Sequence, residues 1–535
     1  MRTTFHTWFG APQPIRALGL MLMLTPLLAN ASGTPAPDNS PPLVVTANRP
    51  NTHGLSHDDL AWLRRDSFGL DSATVTRYHQ LGRAAFLDEQ LAGADDTLPP
   101  QIRTLIDSYS VINTPLAQQV SNYRDAEQKY KNTPAGDAKD AAKKVFGEYR
   151  RDLYQQDVQV EMLHAIYGGD QLREQVVWFW LNHFSIYADK GPVRLFAADY
   201  EENVIRPHAL GKFKDLVMAT LESPAMQIYL DNAKNVAGKT NENYARELME
   251  LHTLGVGSGY TQQDVQQLAL ILTGAGVAGP NQPQPGMFGR QRPGVVRDGL
   301  FVFAPKKHDF SDKVLLGHTI KGRGFDEIEQ AVDLITQQPA CAQFVSRQLA
   351  EYFVSDKPPQ TLVDAMASTF QRTDGDIAAV LRTMFMSKEL TASYGHRFQD
   401  PTQFLVASMK LAYDNQPIAN ATPLVNWLNQ MGEPLYGRIT PDGWPLDSAS
   451  WSGSGQMAKR FDVARIIGSG KNRLFDVGVD PDPQQHTPPP VQESSLFREA
   501  FEPQLSTATR TALGNAASPL EWNTFLLSSP DFNYR

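Results

Sequence analysis

A polar pair ends an almost wholly apolar segment of the chain. Residues 172–184 read Leu-Arg-Glu-Gln-Val-Val-Trp-Phe-Trp-Leu-Asn-His-Phe. On a helix these apolar side chains cover nearly the whole circumference, which predicts a buried helix. Asn182 and His183 are therefore expected inside the protein, where an unpaired polar group costs roughly 1–3 kcal/mol. Either both find partners in the core, or they line a pocket with His183 as catalytic acid or base and Asn182 as a ligand-binding residue.

A second polar group follows in residues 241–255, Asn-Glu-Asn-Tyr-Ala-Arg-Glu-Leu-Met-Glu-Leu-His-Thr-Leu-Gly. Glu242, Arg246 and Glu250 are spaced four residues apart, which predicts ion pairs along one helix face. That face is either solvated or binds a ligand, because Asn and Arg are residue types that hold a carboxylate or a sugar. The candidate ligand-binding residues on it are Asn243, Arg246, Glu247 and Glu250.

His252 lies on the opposite, apolar face of the same predicted helix. Glu250 and His252 therefore point apart and cannot both bind one metal ion from a regular helix. His252 also falls in the last helical turn, where the helix dipole favours the protonated imidazole.

The third candidate is a loop, Pro-Lys-Lys-His-Asp-Phe-Ser-Asp-Lys, at residues 305–313. His308 and Asp309 form a candidate catalytic pair that could equally be a surface turn or bind a metal. The surrounding lysines disfavour a bound cation, and Lys313 is a candidate contact for an anionic ligand. No spacing in the chain argues for a metal site, so metals and cofactors stay open, and so does the choice between an enzyme and a binding protein.

Helices must position these residues. Residues 116–165 predict two long helices that meet at Pro134-Ala-Gly136. Ser56 with Asp59, and Thr261 with Asp264, have the spacing of helix N-caps. Further helices are predicted near 171–187, 241–254, 262–273, 326–353, 360–371, 375–386 and 401–414.

The fold class predicted is mostly α, with one large multi-helical domain over residues 55–535. Alternation typical of strands occurs near 299–304 and 314–320, enough for at most one small β-hairpin. Long Gly/Pro-rich loops are expected near 274–298 and 477–492.

The N-terminus predicts export. Arg2 and Arg16 precede an apolar run over 17–29, and Ala29-Asn-Ala31 has the small-x-small pattern of a signal-peptidase site. We expect a signal peptide over residues 1–31 with cleavage after Ala31, then a flexible lead-in over 32–54 rich in Pro, Ser and Thr. No later apolar stretch reaches the ~18 residues of a transmembrane helix. The predicted location is therefore the periplasm or the extracellular space.

Composition excludes several functions. The chain has 535 residues and a net charge of −9 at pH 7, which argues against nucleic acid as the main partner. Its single cysteine, Cys341, excludes an internal disulfide framework and any multi-cysteine zinc site. We expect Cys341 to fill a small space in the core.

Taken together, these segments resemble an exported bacterial family known as domain of unknown function 1800. The resemblance covers about residues 57–535. It rests on Leu63–Gly69, Gly82–Leu91, Trp178–Phe184, Asn241–Gly255, Tyr260–Val265, Leu272–Gly274, His308–Asp309 with Lys313 and Gly317, Asp442–Pro445, Trp451, and the terminal Leu-Leu-Ser-Ser-Pro-Asp-Phe-Asn-Tyr-Arg535. Leu181 stands where the family pattern has its first histidine.

The resemblance implies export and a mostly helical body without an established reaction. It also implies, by association alone, an exported sulfatase-like partner. Two hypotheses therefore stand side by side. One is a ligand-binding or catalytic pocket built from buried polar residues, and the other is a non-catalytic accessory protein that assembles with such a partner.

Overall fold

The computed structural model describes residues 55–94, 97–278, 294–476 and 487–535. The predicted signal peptide and lead-in, residues 1–54, lie outside these ranges. So do residues 279–293 and 477–486, within the two predicted loops. The described residues all belong to one compact unit. None of the helices in this part of the chain is both long and apolar enough to cross a membrane.

Helices make up most of the described chain, which confirms the mostly α fold class. In the first half the longer ones are His57–Asp66, Ser72–Ala92, Pro100–Ser108, Leu116–Asn132, Asp137–Tyr167, Gln171–His183, Phe213–Glu222 and Gln262–Ile271. In the second half they are Phe325–Thr336, Pro339–Phe353, Gln360–Arg372, Ile377–Phe385, Pro401–Tyr413, Thr422–Met431, Ser454–Ser469, Thr507–Gly514 and Pro519–Ser528. The shorter α-helical segments are Ser110–Asn113, Ala197–Asp199, Arg206–His208, Pro224–Tyr229, Asn243–Glu247, Lys388–Thr391, Ser448–Trp451, Ser495–Ala500 and Pro530–Asn533.

Helix starts follow the local hydrogen-bonding chemistry of the sequence. The Ser56 hydroxyl accepts from the Asp59 backbone N–H at 3.1 Å, and Thr261 and Asp264 form a reciprocal capping box. The single helix predicted over 326–353 is instead two helices, because Pro339 begins the second one. Proline has no N–H to donate and is suited to the first turn of a helix.

Two segments are π-helical, Tyr200–Ile205 and Leu248–Thr253. Each carries residues of the clusters described below. A π-helical turn accommodates one more residue than an α-helical turn, and such turns are frequent at functional sites.

The structure contains somewhat more strand than the single predicted hairpin. Strands β1 (Ala275–Val277), β2 (Val296–Asp298) and β3 (Phe301–Phe303) form an antiparallel sheet in the order β1-β3-β2. Strands β4 (Lys313–Leu315) and β5 (His318–Ile320) form the hairpin. Both β1 and β2 fall within the predicted loop 274–298, where strand pairing to β3 orders the ends of that segment.

Buried apolar side chains from nearly all of these helices form one continuous core. Helix Gln171–His183 runs through it, and its Trp180 indole donates to the Ala209 carbonyl at 3.0 Å. Cys341 is fully buried among apolar neighbours, as predicted for a core filler. Burial raises the pKa of its thiol well above the ordinary value, so Cys341 is a protonated packing residue.

Candidate functional site

The polar pair Asn182 and His183 lies at the C-terminal end of the buried helix Gln171–His183, at the edge of the core. Every residue of this helix is buried except Asn182, which is partly exposed. His183 is 8% exposed and stacks on Phe179, with ring centroids 5.9 Å apart. The structure therefore places His183 inside the protein, as predicted. The same prediction is wrong for Asn182, which is partly exposed because it lies beside the cavity at the end of the helix.

The hydrogen bonds of His183 determine which ring nitrogen is free. Its Nε2 lies 2.9 Å from the His252 carbonyl oxygen. A carbonyl oxygen only accepts, so Nε2 carries the proton and donates. Burial lowers the pKa of His183 to about 4, although the bond to the carbonyl opposes the shift. At neutral pH the ring is uncharged, and Nδ1 holds a lone pair with no partner among the described residues.

The ring of His252 is the buried neighbour of the His183 ring. Its ring is fully buried, neither of its nitrogens has a hydrogen-bond partner, and it lies 6.0 Å from the His183 ring. Burial lowers its pKa well below the ordinary value. The expectation that the helix dipole favours a protonated His252 is therefore wrong, because loss of water outweighs the dipole at this depth. As predicted, His252 and Glu250 do not face the same site.

Asn182 fixes one wall of the site. Its Nδ2 donates to the Trp444 carbonyl at 2.9 Å, and its Oδ1 accepts from the Trp444 N–H at 2.6 Å. Gly443 makes this approach possible: its φ is +71°, and a Cβ there would lie 2.3 Å from the Asn182 carbonyl oxygen. Both ends of the amide are thus used to hold the segment 441–446, so Asn182 is a positioning residue.

Between this segment and the buried helix lies a cavity of about 310 Å³, here named the His183 cavity. Its size suits a small ligand. It is lined by Phe179, Asn182, His183, Glu250, Leu251, Val256, Phe344, Gln348, Pro441, Asp442, Trp444 and Leu446.

Of the four predicted ligand-binding residues in 241–255, only Glu250 lines the His183 cavity. Arg246 lies between Glu242, at 3.1 Å, and Glu250, at 3.9 Å, so the predicted ion pairs form. Asn243 is exposed and donates to the Leu230 carbonyl at 3.2 Å, and burial raises the pKa of Glu247 above its ordinary value. Apart from Glu250, this face is partly solvated.

The predicted pair His308 and Asp309 is separated in the structure. His308 Nε2 lies 2.9 Å from Glu327 Oε1, and its Nδ1 lies 2.7 Å from the Thr273 carbonyl. Asp309 does not bond His308: its carboxylate accepts from the Ser311 N–H at 2.9 Å and lies 3.7 Å from the Lys313 ammonium.

Lys313 completes the same buried network, with its ammonium 2.7 Å from Glu327 Oε2. The side chains of His308, Glu327 and Lys313 are fully buried, and none of them lines the His183 cavity. The network joins β4 to the start of helix Phe325–Thr336.

A second group of buried charged residues was not predicted by any sequence motif. Four glutamates surround Arg206, and we name them the carboxylate cluster: Glu161, Glu174, Glu201 and Glu202. The guanidinium lies 3.1 Å from Glu161, 2.8 Å from Glu201 and 3.2 Å from Glu202, and it also contacts Glu174. The Tyr436 hydroxyl donates to Glu201 at 2.8 Å.

Burial dominates the protonation of this cluster. It raises the pKa of Glu161 and of Glu202 to about 7 each, against the opposing attraction of Arg206. It raises the pKa of Glu201 well above the ordinary value. Across the described part of the chain, no three His, Cys, Asp or Glu side chains are grouped to hold a metal ion. Burial thus shifts Glu161, Glu201 and Glu202 towards their protonated forms around one arginine.

Sequence reasoning missed the cavity walls contributed by Phe344, Gln348 and Asp442. The only available signal was Asp442-Gly-Trp-Pro445, one of the segments that carry the family resemblance. In the structure, Gly443 and Trp444 of this segment pack against Asn182 and form one wall of the cavity.

The fold and this cavity define a class, a mostly helical protein with a small, partly buried cavity. Residues 61–534 match the family described as "Protein of unknown function (DUF1800)". The match spans most of the chain, and the chain belongs to this family. No curated protein and no solved structure matches it.

Proposed function

We propose that the protein binds a small ligand in the His183 cavity, with His183 Nδ1 as the acceptor for a ligand donor. The unpartnered Nδ1 carries this proposal. His183 lines the cavity although only 8% of the residue is exposed, so the free lone pair of Nδ1 has no protein partner. A donor group of a bound ligand supplies the hydrogen bond that the protein does not make.

Two features of the site support this function. The Asn182–Trp444 bonds hold one wall at a fixed position, which lowers the entropy lost on binding. The low pKa of His183 keeps Nδ1 an acceptor over the whole neutral range, and a neutral imidazole can also take up a proton in a reaction.

We expect His183→Gln to abolish ligand binding at the cavity while the protein stays folded. Glutamine places its amide near the former Nε2 and retains a donor for the His252 carbonyl, but it lacks the acceptor at the δ position. A fragment library screened by saturation-transfer NMR against the full chain measures this, with circular dichroism as the folding control.

The matched control is His318→Gln, because His318 is exposed on β5 and outside the cavity lining. Fragments that bind wild type and H318Q should be lost from H183Q. A set of hits that binds H183Q with unchanged affinity places the ligand site elsewhere and rejects the proposal.

We also propose that the protein is exported. The apolar run over 17–29 and the small residues Ala29 and Ala31 support cleavage after Ala31. Expression of the full chain in a bacterium should yield a mature protein that begins at Ser32, as determined by intact mass. Leu22→Arg, which places a charge in the apolar run, should leave the uncleaved form in the cytoplasm; cleavage of both forms would contradict the assignment. The sulfatase-like partner stays a prediction of the family resemblance.

A further inference from the structure

We infer that the ligand of the His183 cavity carries a protonated amine beside a small apolar group. This inference rests on the proposed function and specifies the chemistry of the occupant. Three observations lead to it: the charges that line the cavity, the acceptor atoms that the lining offers to an ammonium group, and the apolar walls.

The charge of the lining is negative. Glu250 and Asp442 line the cavity, and no lysine or arginine does. Asp442 is paired with Arg438 at 2.8 Å. Glu250 has no close cation: Arg246 lies 3.9 Å away, beyond hydrogen-bond distance, while its guanidinium bonds Glu242 at 3.1 Å and Gln262 at 2.9 Å. The Tyr260 hydroxyl hydrogen-bonds Glu250, which occupies only one of the roughly four lone-pair positions of the carboxylate. Glu250 is therefore the carboxylate available to a ligand cation.

Two free polar atoms of the lining can accept from a ligand. His183 Nδ1 holds a lone pair, and the Glu250 carboxylate only accepts. The lining also offers N–H donors, since Asn182 has a second amide N–H beyond the one bonded to the Trp444 carbonyl, and Gln348 and the Trp444 indole line the cavity. The charge of the lining therefore decides the sign of the ligand charge. A ligand anion would find no cation in the lining and would face Glu250, whereas an ammonium group can donate to Nδ1 and to the carboxylate together.

The remaining walls are aromatic and aliphatic. Phe179, Phe344 and Leu251 line the cavity beside the polar atoms. A compact apolar group next to the amine would be desolvated against them. Trp444 also lines the cavity, and Arg438 lies 5.6 Å from its ring centroid, so this ring already has one cation as a neighbour.

Three matched probes test the inference: benzylamine, benzyl alcohol and benzoate, which present a similar ring with a positive, neutral or negative group. Each is titrated at pH 7 into the full chain, and binding is followed by ligand-observed NMR. We expect benzylamine to bind wild type at least about tenfold more tightly than benzyl alcohol, as one charge-assisted hydrogen bond provides. Benzoate should not bind.

Glu250→Gln should weaken benzylamine binding at least about tenfold and leave benzyl alcohol unchanged, because it removes the charge and keeps the shape. The matched control is Glu499→Gln, which changes the net charge equally at an exposed helical position outside the lining. It should bind benzylamine like wild type.

Tighter binding of benzyl alcohol or benzoate would overturn the amine inference and leave the cavity as a ligand site. Benzylamine binding that E250Q and E499Q leave equally unchanged would overturn it as well. Absence of saturable binding for all three probes also rejects the inference. The fragment screen with H183Q then decides separately whether the cavity binds any ligand.

Discussion

Replacing Arg206 with methionine is expected to destabilise the protein by about 3–5 kcal/mol, as removal of one member of a buried ionic group does. Arg206 is the cation that contacts Glu161, Glu174, Glu201 and Glu202. Its side chain is 9% exposed, and those of Glu161 and Glu174 are fully buried. Without the guanidinium, a carboxylate of this group either stays as an uncompensated buried charge or takes up a proton, and either outcome loses the attraction that Arg206 provides in the folded state.

The size of the effect follows from the asymmetry of buried ion pairs. Forming such a group contributes little net folding free energy, because the cost of removing the charges from water offsets their attraction. Removing one partner is costly, because the remaining buried charges are then uncompensated. Methionine is suited to the test because it retains the length and the apolar part of the arginine side chain. The measurement is chemical denaturation of the full chain followed by circular dichroism.

A control variant separates this effect from the loss of any ion pair. Arg77→Met removes an exposed arginine that contacts Glu89, and it should change the unfolding free energy little, because water screens an exposed ion pair. The double variant R206M/E174Q should recover part of the loss, because Glu174 is fully buried against Arg206 and glutamine at this position carries no charge. Equal stabilities of R206M and R77M would show that the cluster does not depend on its arginine.

Local features of the fold could be predicted from the sequence, because their causes lie within a few residues. Ser56 and Thr261 begin helices through hydrogen bonds that span three residues. The burial of helix Gln171–His183 could be predicted because apolar side chains cover nearly its whole circumference. The π-helical turn Leu248–Thr253 could not be predicted in this way, since its side chains fit the pattern of an ordinary helix.

The partners of the candidate residues could not be predicted, because they are distant in the chain. His308 lies beside Asp309 in the sequence, yet it pairs with Glu327 and with the Thr273 carbonyl. Asn182 meets Trp444 at a separation of 262 residues. Spacing along a helix determines which side chains share a face, whereas tertiary packing determines what that face meets.

The same limit applies to the carboxylate cluster. Glu161 and Glu174 come from two long helices, while Glu201 and Glu202 come from the π-helical turn Tyr200–Ile205. No sequence motif groups these glutamates with Arg206. Only the packing of these three elements around Arg206 makes them buried acids.

The stability of a Glu161→Gln variant relative to wild type is expected to rise with pH. Burial raises the pKa of Glu161 from the usual 4.5 to about 7, with Arg206 opposing the shift. A raised acid pKa contributes stability that is fully present below the unfolded-state value and is lost as pH rises through the folded-state value. For Glu161 this window runs from about pH 4.5 to about pH 7.

Glutamine resembles the protonated acid at every pH, so the variant should not lose stability in that window. Between pH 5 and pH 8 the difference in unfolding free energy, E161Q minus wild type, should increase by about 2–3 kcal/mol. His183, His252 and His164 have lowered pKa values because of burial. Burial of these neutral histidines costs stability as pH falls below about 6.5, the opposite direction to Glu161. Their contribution cancels in the difference between E161Q and wild type, because both proteins contain them.

The matched control lies on the same helix, Asp137–Tyr167. Glu148→Gln changes an exposed glutamate and should keep a constant difference from wild type over the same pH range. Denaturation curves of the three proteins at several pH values between 5 and 8 provide the measurement. A difference for E161Q that stays flat, like that of E148Q, would mean that Glu161 is ionised throughout and that Arg206 compensates its burial fully.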